Sequence, residues 1–272
     1  MSQALDRLVA VMARLRDRNG GCAWDIEQDF RSIAPHTLEE TYEVVEAIEN
    51  DDMKGLKEEL GDLLFQIAFH AQMGREKNLF DLDSIAVAVT DKMVERHPHV
   101  FADRNAETAK DVITNWEADK AAKRRTQAEA ENRRPSVLDG VNTALPAPSR
   151  ALKLQQRAAR VGFDWGATPP IFAKIREELG ELERELTASP DKGAVEDELG
   201  DLLFAVINLA RHLAVDPEAA LRRTNRKFER RFHAIESALA AQGRTPEEAS
   251  LEEMDAIWNA ERKKDKGAKH NA

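Results

Sequence analysis

Residues 171–213 read IFAKIREELGELERELTASPDKGAVEDELGDLLFAVINLARHL. Two runs with apolar side chains at helical spacing are separated by Ser189-Pro190-Asp191-Lys192-Gly193, where Pro and Gly interrupt a helix. The first helix is expected to bury Phe172, Ile175, Leu179, Leu182 and Leu186. The second is expected to bury Val195, Leu199, Leu202, Val206 and Leu213. So short a turn makes the two helices antiparallel neighbours. Residues three apart share a helix face. Glu178 and Glu181 therefore point the same way, as do Glu198 and Asp201, and each pair flanks its own apolar stripe. Packing the stripes together is expected to bring four carboxylates to one place.

Carboxylates converging beside an apolar seam repel one another, and a bound cation makes the cluster tolerable. A donor set of oxygens with no Cys or His favours magnesium, manganese or calcium. The alternative is two solvated acidic faces, since one ExxE or ExxD is common on surface helices. A repeat separates these readings. Residues 58–65 read EELGDLLF and residues 197–204 read DELGDLLF, identical at seven of eight positions. The first copy carries Glu39, Glu40 and Glu43, then Glu59 and Asp62. The second carries Glu177, Glu178 and Glu181, then Glu198 and Asp201. The parallel continues downstream, where Lys92 and Arg96 answer Lys227 and Arg231, and Trp116 answers Trp258. Acidic pairs that recur at one spacing with the same cationic partners favour a metal site over a random acidic surface.

The 272 residues suffice for two domains. Sparse Gly and Pro beside abundant Ala, Leu, Glu, Lys and Arg favour helix throughout, an all-α chain of two tandem units. A net charge of −10 disfavours nonspecific nucleic-acid or membrane binding, while leaving room for a phosphorylated small molecule beside a cation. The single cysteine, Cys22, fits a reducing cytoplasm, and no apolar run approaches membrane-spanning length. The domains expected are 1–120, a charged and Pro-containing linker at 121–148, and 149–265, with a tail at 266–272. The charged run from 263 onward is expected to fray. At finer grain, Thr37 is expected to open a helix with Glu40 as its capping-box partner, and Cys22-Ala23-Trp24-Asp25 to form a loop. Gly61 and Gly200 lie inside helices, which suggests close helix approach at those points.

Lys227 and Arg231 are the natural phosphate binders, although a solvated cationic face would look the same. Lys174 lies one turn before Glu178 and could reach a metal-bridged phosphate. Its counterpart in the first copy is His36. Trp116 and Trp258 read as core anchors, with base stacking the sharper alternative.

These motifs resemble the MazG nucleoside triphosphate pyrophosphohydrolases. The likeness rests on EExxE followed by ExxD, twice, together with RLRDRNGGCAWD at 14–25, IAPHTLEETYEV at 33–44, ERHPHVFAD at 95–103, VGFDW at 161–165 and NLARHL at 208–213. The resemblance implies an all-α, magnesium-dependent enzyme that cleaves nucleoside triphosphates, with broad base tolerance, to the monophosphate and pyrophosphate. It implies dimers whose protomers complete four-helix bundles, and manganese as a possible substitute metal. Carried over by position, it implies metal ligands Glu178, Glu181, Glu198 and Asp201, and nucleotide contacts at Lys174, Glu177, Lys227, Arg231 and Trp258. Lys227, Arg231 and Lys174 would stabilise the departing pyrophosphate while a cation-activated water attacks the α-phosphorus. In such two-copy chains the C-terminal copy is usually catalytic. Glu40, Glu43, Glu59 and Asp62 form the equivalent set in the first copy, vestigial or active. A non-catalytic helical scaffold is the alternative. A ferritin-like di-iron protein is not, because its ExxH spacing fails at His70 and His212.

Overall fold

The computed structural model describes residues 3–102, 108–187 and 191–268, and every regular element among them is helical. The chain divides into two compact units, Met1–Ala118 and Asp119–Ala272.

The first unit contains α1 (Gln3–Leu15), α2 (Ala23–Glu27), α3 (Phe30–Glu49), α4 (Met53–Glu76), α5 (Leu82–Arg96) and α6 (Pro98–Phe101). The division into units falls inside α7 (Ala109–Ala130). Helices α3 and α4 form a hairpin, with α1 and α5 against α4. Met12, Ile33, Phe69 and Met73 are its fully buried core, with Leu15, Phe30 and Phe65 packed around them. Gly21 ends the α1 turn, where any Cβ would collide with the Leu15 and Asp17 carbonyl oxygens.

Two local expectations fail here. Helix α3 starts at Phe30, well before Thr37, and its cap is Asp29. The Asp29 carboxylate accepts from the Ser32 N–H while the Ser32 hydroxyl accepts from the Asp29 N–H. Thr37 lies inside the helix, its hydroxyl bonded to the Ile33 carbonyl and to His70. Pro35 lies inside the helix, where a proline ordinarily disfavours it. Burial of Ile33 on Met12, Phe69 and Met73, with the Asp29 cap, holds the helix through it. Ala23, Trp24 and Asp25 are helical rather than a loop.

The second unit contains α8 (Ala147–Ala159), α9 (Thr168–Thr187), α10 (Lys192–His212), α11 (Pro217–Ala240), a 3₁₀ turn at Pro246–Glu248 and α12 (Leu251–Ala268). Helices α9 and α10 form its hairpin, α8 lies on α10, and α11 packs on α8 and α12. Ala151, Ile171, Ala205, Ile235 and Leu239 are buried. The expected turn residues Ser189 and Pro190 lie outside the described residues. Asp191 caps α10, accepting from the Gly193 N–H.

The expected burial of the hairpin stripes is only partly observed. Ile175, Leu182, Val195 and Leu202 are half-buried, but Phe172, Leu179, Leu186, Leu199, Val206 and Leu213 are each more than 40% exposed. Helices α9 and α10 turn the acidic edge of each stripe toward one another, and α8 covers only part of the rest. Among the described residues, a Cβ at Gly61 or Gly200 meets nothing within 4 Å, so close helix approach does not explain them. Helix α12 continues to Ala268, past the point where fraying was expected. Trp116 is an anchor, its indole N–H bonded to the Arg96 carbonyl at 2.6 Å and its ring edge-on to His97.

Candidate functional site

The α9–α10 hairpin brings Glu178, Glu198 and Asp201 together, with one carboxylate oxygen from each within 4.8 Å of the others. Glu178 is 5% exposed, unusual for a carboxylate without a charged partner. The partner is Lys174, whose Nζ lies 2.6 Å from Glu178 and 2.8 Å from Glu177. Hydrogen bonds to Glu177 and then Glu178 push the Lys174 amine above its ordinary range, so it is a fixed cation at any physiological pH. Glu181 lies outside the tightest group but close enough to act on it. Burial pushes the Glu198 carboxyl up, and the charges of Glu181, Glu178 and Asp201 add to the rise. The Glu181 carboxylate pairs with Arg184 at 3.0 Å.

In the α3–α4 hairpin the tight group is Glu40, Glu43 and Glu59, again within 4.8 Å. Burial raises the Glu40 carboxyl first, then the Glu43 and Asp62 charges. Burial likewise raises Glu59, with Glu43 and Asp62 contributing. All four expected carboxylates of each copy are therefore electrostatic neighbours. Each set consists of hard oxygen donors at a spacing that suits a divalent cation.

The remaining expected residues gather elsewhere. On α11, Arg231 is 9% exposed and bonds Asp265 of α12 through Nε at 2.9 Å and Nη2 at 2.7 Å. Its guanidinium lies 5.2 Å from the centre of the Trp258 ring, and Phe228 approaches the same ring at 5.3 Å. Lys227 is half-buried on the same helix. Lys174 and Glu177 thus belong to the carboxylate cluster, while Arg231 and Trp258 form a second group with Asp265. In the first unit Lys92 is exposed and Arg96 half-buried on α5.

Two residues at these groups carry no sequence signal. Gln66 is 7% exposed and hydrogen-bonds Glu40, while its Oε1 has no partner among the described residues. Its counterpart in the repeat is Ala205. Asp265 lies 34 residues from Arg231 inside a charged run, where nothing local marks it.

Residues 28–101 and 170–235 match the MazG nucleotide pyrophosphohydrolase domain. The chain is 48% identical over 255 residues to the nucleoside triphosphate pyrophosphohydrolase of Escherichia coli K12, covering 93% of this chain and 95% of that protein. It is 40% identical to the nucleoside triphosphate pyrophosphohydrolase/pyrophosphatase MazG of Thermotoga maritima, covering 93% of each. A Mycobacterium tuberculosis protein named nucleoside triphosphate pyrophosphohydrolase is 36% identical over 64% of this chain and 51% of its own length.

Proposed function

The chain belongs to the MazG nucleotide pyrophosphohydrolase family, and from that premise we propose that it cleaves nucleoside triphosphates to the monophosphate and pyrophosphate. It is an enzyme of the nucleoside triphosphate pyrophosphohydrolase class. The active site proposed is that of the C-terminal domain, residues 149–265. The observation that carries this reading is the convergence of Glu178, Glu198 and Asp201 within 4.8 Å beside the Lys174 cation.

These carboxylates, with Glu181, would hold magnesium, or manganese in its place, since the donors are all oxygen. When bound, the cation supplies Lewis acidity to the triphosphate oxygens and lowers the pKa of nearby water. Water attacks the α-phosphorus, the bond to the bridging oxygen breaks, and pyrophosphate departs. A carboxylate of the cluster takes the proton from that water. Lys174, Lys227 and Arg231 bind the phosphates of the bound triphosphate and keep hold of the same charge as pyrophosphate departs. Glu177 holds the Lys174 ammonium as a second carboxylate partner, at 2.8 Å. The Trp258 face stacks on the base and reads no base edge, which gives broad base tolerance.

The assembly proposed is a homodimer. Phe172, Leu179 and Leu186 recur every seven residues on α9 and are exposed, as are Leu199, Leu203 and Val206 on α10. A second copy that completes a helical bundle would cover this stripe. Light scattering at micromolar concentration should give about twice the 30.5 kDa chain mass, and a mass near 30.5 kDa contradicts the dimer. No described helix is long and apolar enough to cross a membrane. The compartment proposed is the cytoplasm, where the exposed thiol of Cys22 stays reduced.

The test is turnover of ATP in water enriched in heavy oxygen. The label should enter the monophosphate, and activity should vanish in EDTA and return with magnesium. Label in the pyrophosphate would overturn attack at the α-phosphorus. Full activity without metal would overturn the carboxylate assignment, and no turnover of any nucleoside triphosphate would leave a non-catalytic scaffold.

A further inference from the structure

Arg231 is held from two sides by one helix. Trp258 and Asp265 lie seven residues apart on α12, two turns along one face. The Asp265 Oδ2 accepts from both Nε and Nη2 of Arg231, and the Trp258 ring lies against the guanidinium at 5.2 Å. The other Asp265 oxygen accepts from Arg230 Nη2 at 2.5 Å. A guanidinium has five N–H donors, of which Asp265 takes two. The two on Nη1 and the second on Nη2 face away from it.

We infer that Asp265 is a positioning residue: it fixes Arg231 beside Trp258, so that the guanidinium meets a triphosphate with its remaining donors already aimed. The inference rests on reading Arg231 and Trp258 as nucleotide contacts. Three facts carry it. Arg231 is 9% exposed, and a buried guanidinium without a carboxylate turns toward solvent or strains its surroundings. A long arginine stem loses rotamer freedom on binding, and a fork fixed in advance avoids that loss. The Asp265 carboxyl is held below its ordinary range, chiefly by the Arg231 bonds, so it is ionised wherever the enzyme would work. The carboxylate acts through Arg231 and touches no reacting atom.

The experiment is steady-state turnover of ATP by the full chain carrying Asp265→Asn, Arg231→Ala or both, with thermal melts of each. Asp265→Asn should raise KM about tenfold and leave kcat within about twofold, the pattern of lost binding rather than lost chemistry. Asp265→Glu should recover part of the KM. In the Arg231→Ala background, Asp265→Asn should add less than about twofold, because its target is gone. Multiplying losses in the double variant, or an unchanged KM in Asp265→Asn when Arg231→Ala raises it, overturns the positioning role. An unchanged KM in Arg231→Ala removes the nucleotide contact itself, a separate failure. If Asp265→Asn melts below the assay temperature, Asp265→Glu decides: it keeps the charge, and its longer arm should raise KM without lowering kcat. An unchanged KM there overturns the inference.

Discussion

In the α9–α10 hairpin, Glu178 meets the Lys174 ammonium at 2.6 Å. In the α3–α4 hairpin, the equivalent Glu40 takes a hydrogen bond from the Gln66 amide. The central blocks differ at one of eight positions, so the acidic frames are nearly the same while their counter-groups differ. Lys174 adds a positive charge that a polyanion can recruit. His36, in its place, sits edge-on to Trp24 at 5.9 Å and 3.6 Å from Glu39. Gln66 adds only a neutral donor, where the second hairpin has the Ala205 methyl. The tight groups differ too: Glu43 completes one and Asp201 the other. A repeated motif thus reproduces a backbone hairpin and its carboxylates, while the residues around it set the charge those carboxylates work against.

The largest test of this contrast removes one equivalent carboxylate from each hairpin. Asp201→Asn should lower turnover by at least about two decades, whereas Asp62→Asn should leave it within about twofold. Monophosphate release at saturating ATP measures both. Matched losses would end the contrast, and a circular dichroism melt of Asp62→Asn would show whether its loss comes from unfolding.

A smaller effect is expected at the head of the second hairpin. Lys174→Ala should cost one to two decades in kcat/KM, from the roughly 1.5–3 kcal/mol of a charge-assisted contact. His36→Ala should leave kcat/KM within about twofold, since that side chain packs on Trp24 and lies beside Glu39, which is outside the tight carboxylate group. Equal losses would mean that both hairpins engage substrate.

The smallest effect concerns stability rather than rate. Each unit closes the far end of its hairpin with an ion pair of opposite layout. In the first, Arg16 follows α1 and bonds both oxygens of Glu76 on α4, at 2.9 and 2.7 Å. In the second, Asp164 follows α8 and is bonded by Arg211 of α10. Glu76→Gln should destabilise the first unit by about 1.5 kcal/mol. Bonds from Arg16 hold the Glu76 carboxyl below its ordinary value. That stabilisation is therefore complete above the unfolded pKa and fades as pH falls through the folded one. Thermal melts of wild type and Glu76→Gln should differ at neutral pH and converge in strong acid. A difference that persists unchanged there would assign the loss to packing of Arg16 over Phe69.

Much of this molecule is written locally. The repeat, the helical periodicity and the spacing of Glu178, Glu181, Glu198 and Asp201 fixed an all-α chain, two hairpins and the elements that meet at the acidic cluster. Helix α3 starts at Phe30 and not at Thr37, although the Thr37–Glu40 capping-box pattern is a strong local boundary signal. Tertiary burial of Ile33 outweighs it.

What the sequence determined by itself is what lies within one or two turns of helix: which residues share a face, where the turn between α9 and α10 falls, and which four carboxylates recur as a set. That information is periodic and short-ranged, so it is legible without a structure. The tertiary structure alone decided which side of each stripe turns inward and leaves Leu179 and Leu199 exposed. It also decided that Gln66 donates to Glu40, and that Asp265 clamps Arg231 against Trp258. These contacts depend on the rotation and axial register of one helix against another. Both are set by the summed packing of many side chains, and no local pattern encodes them.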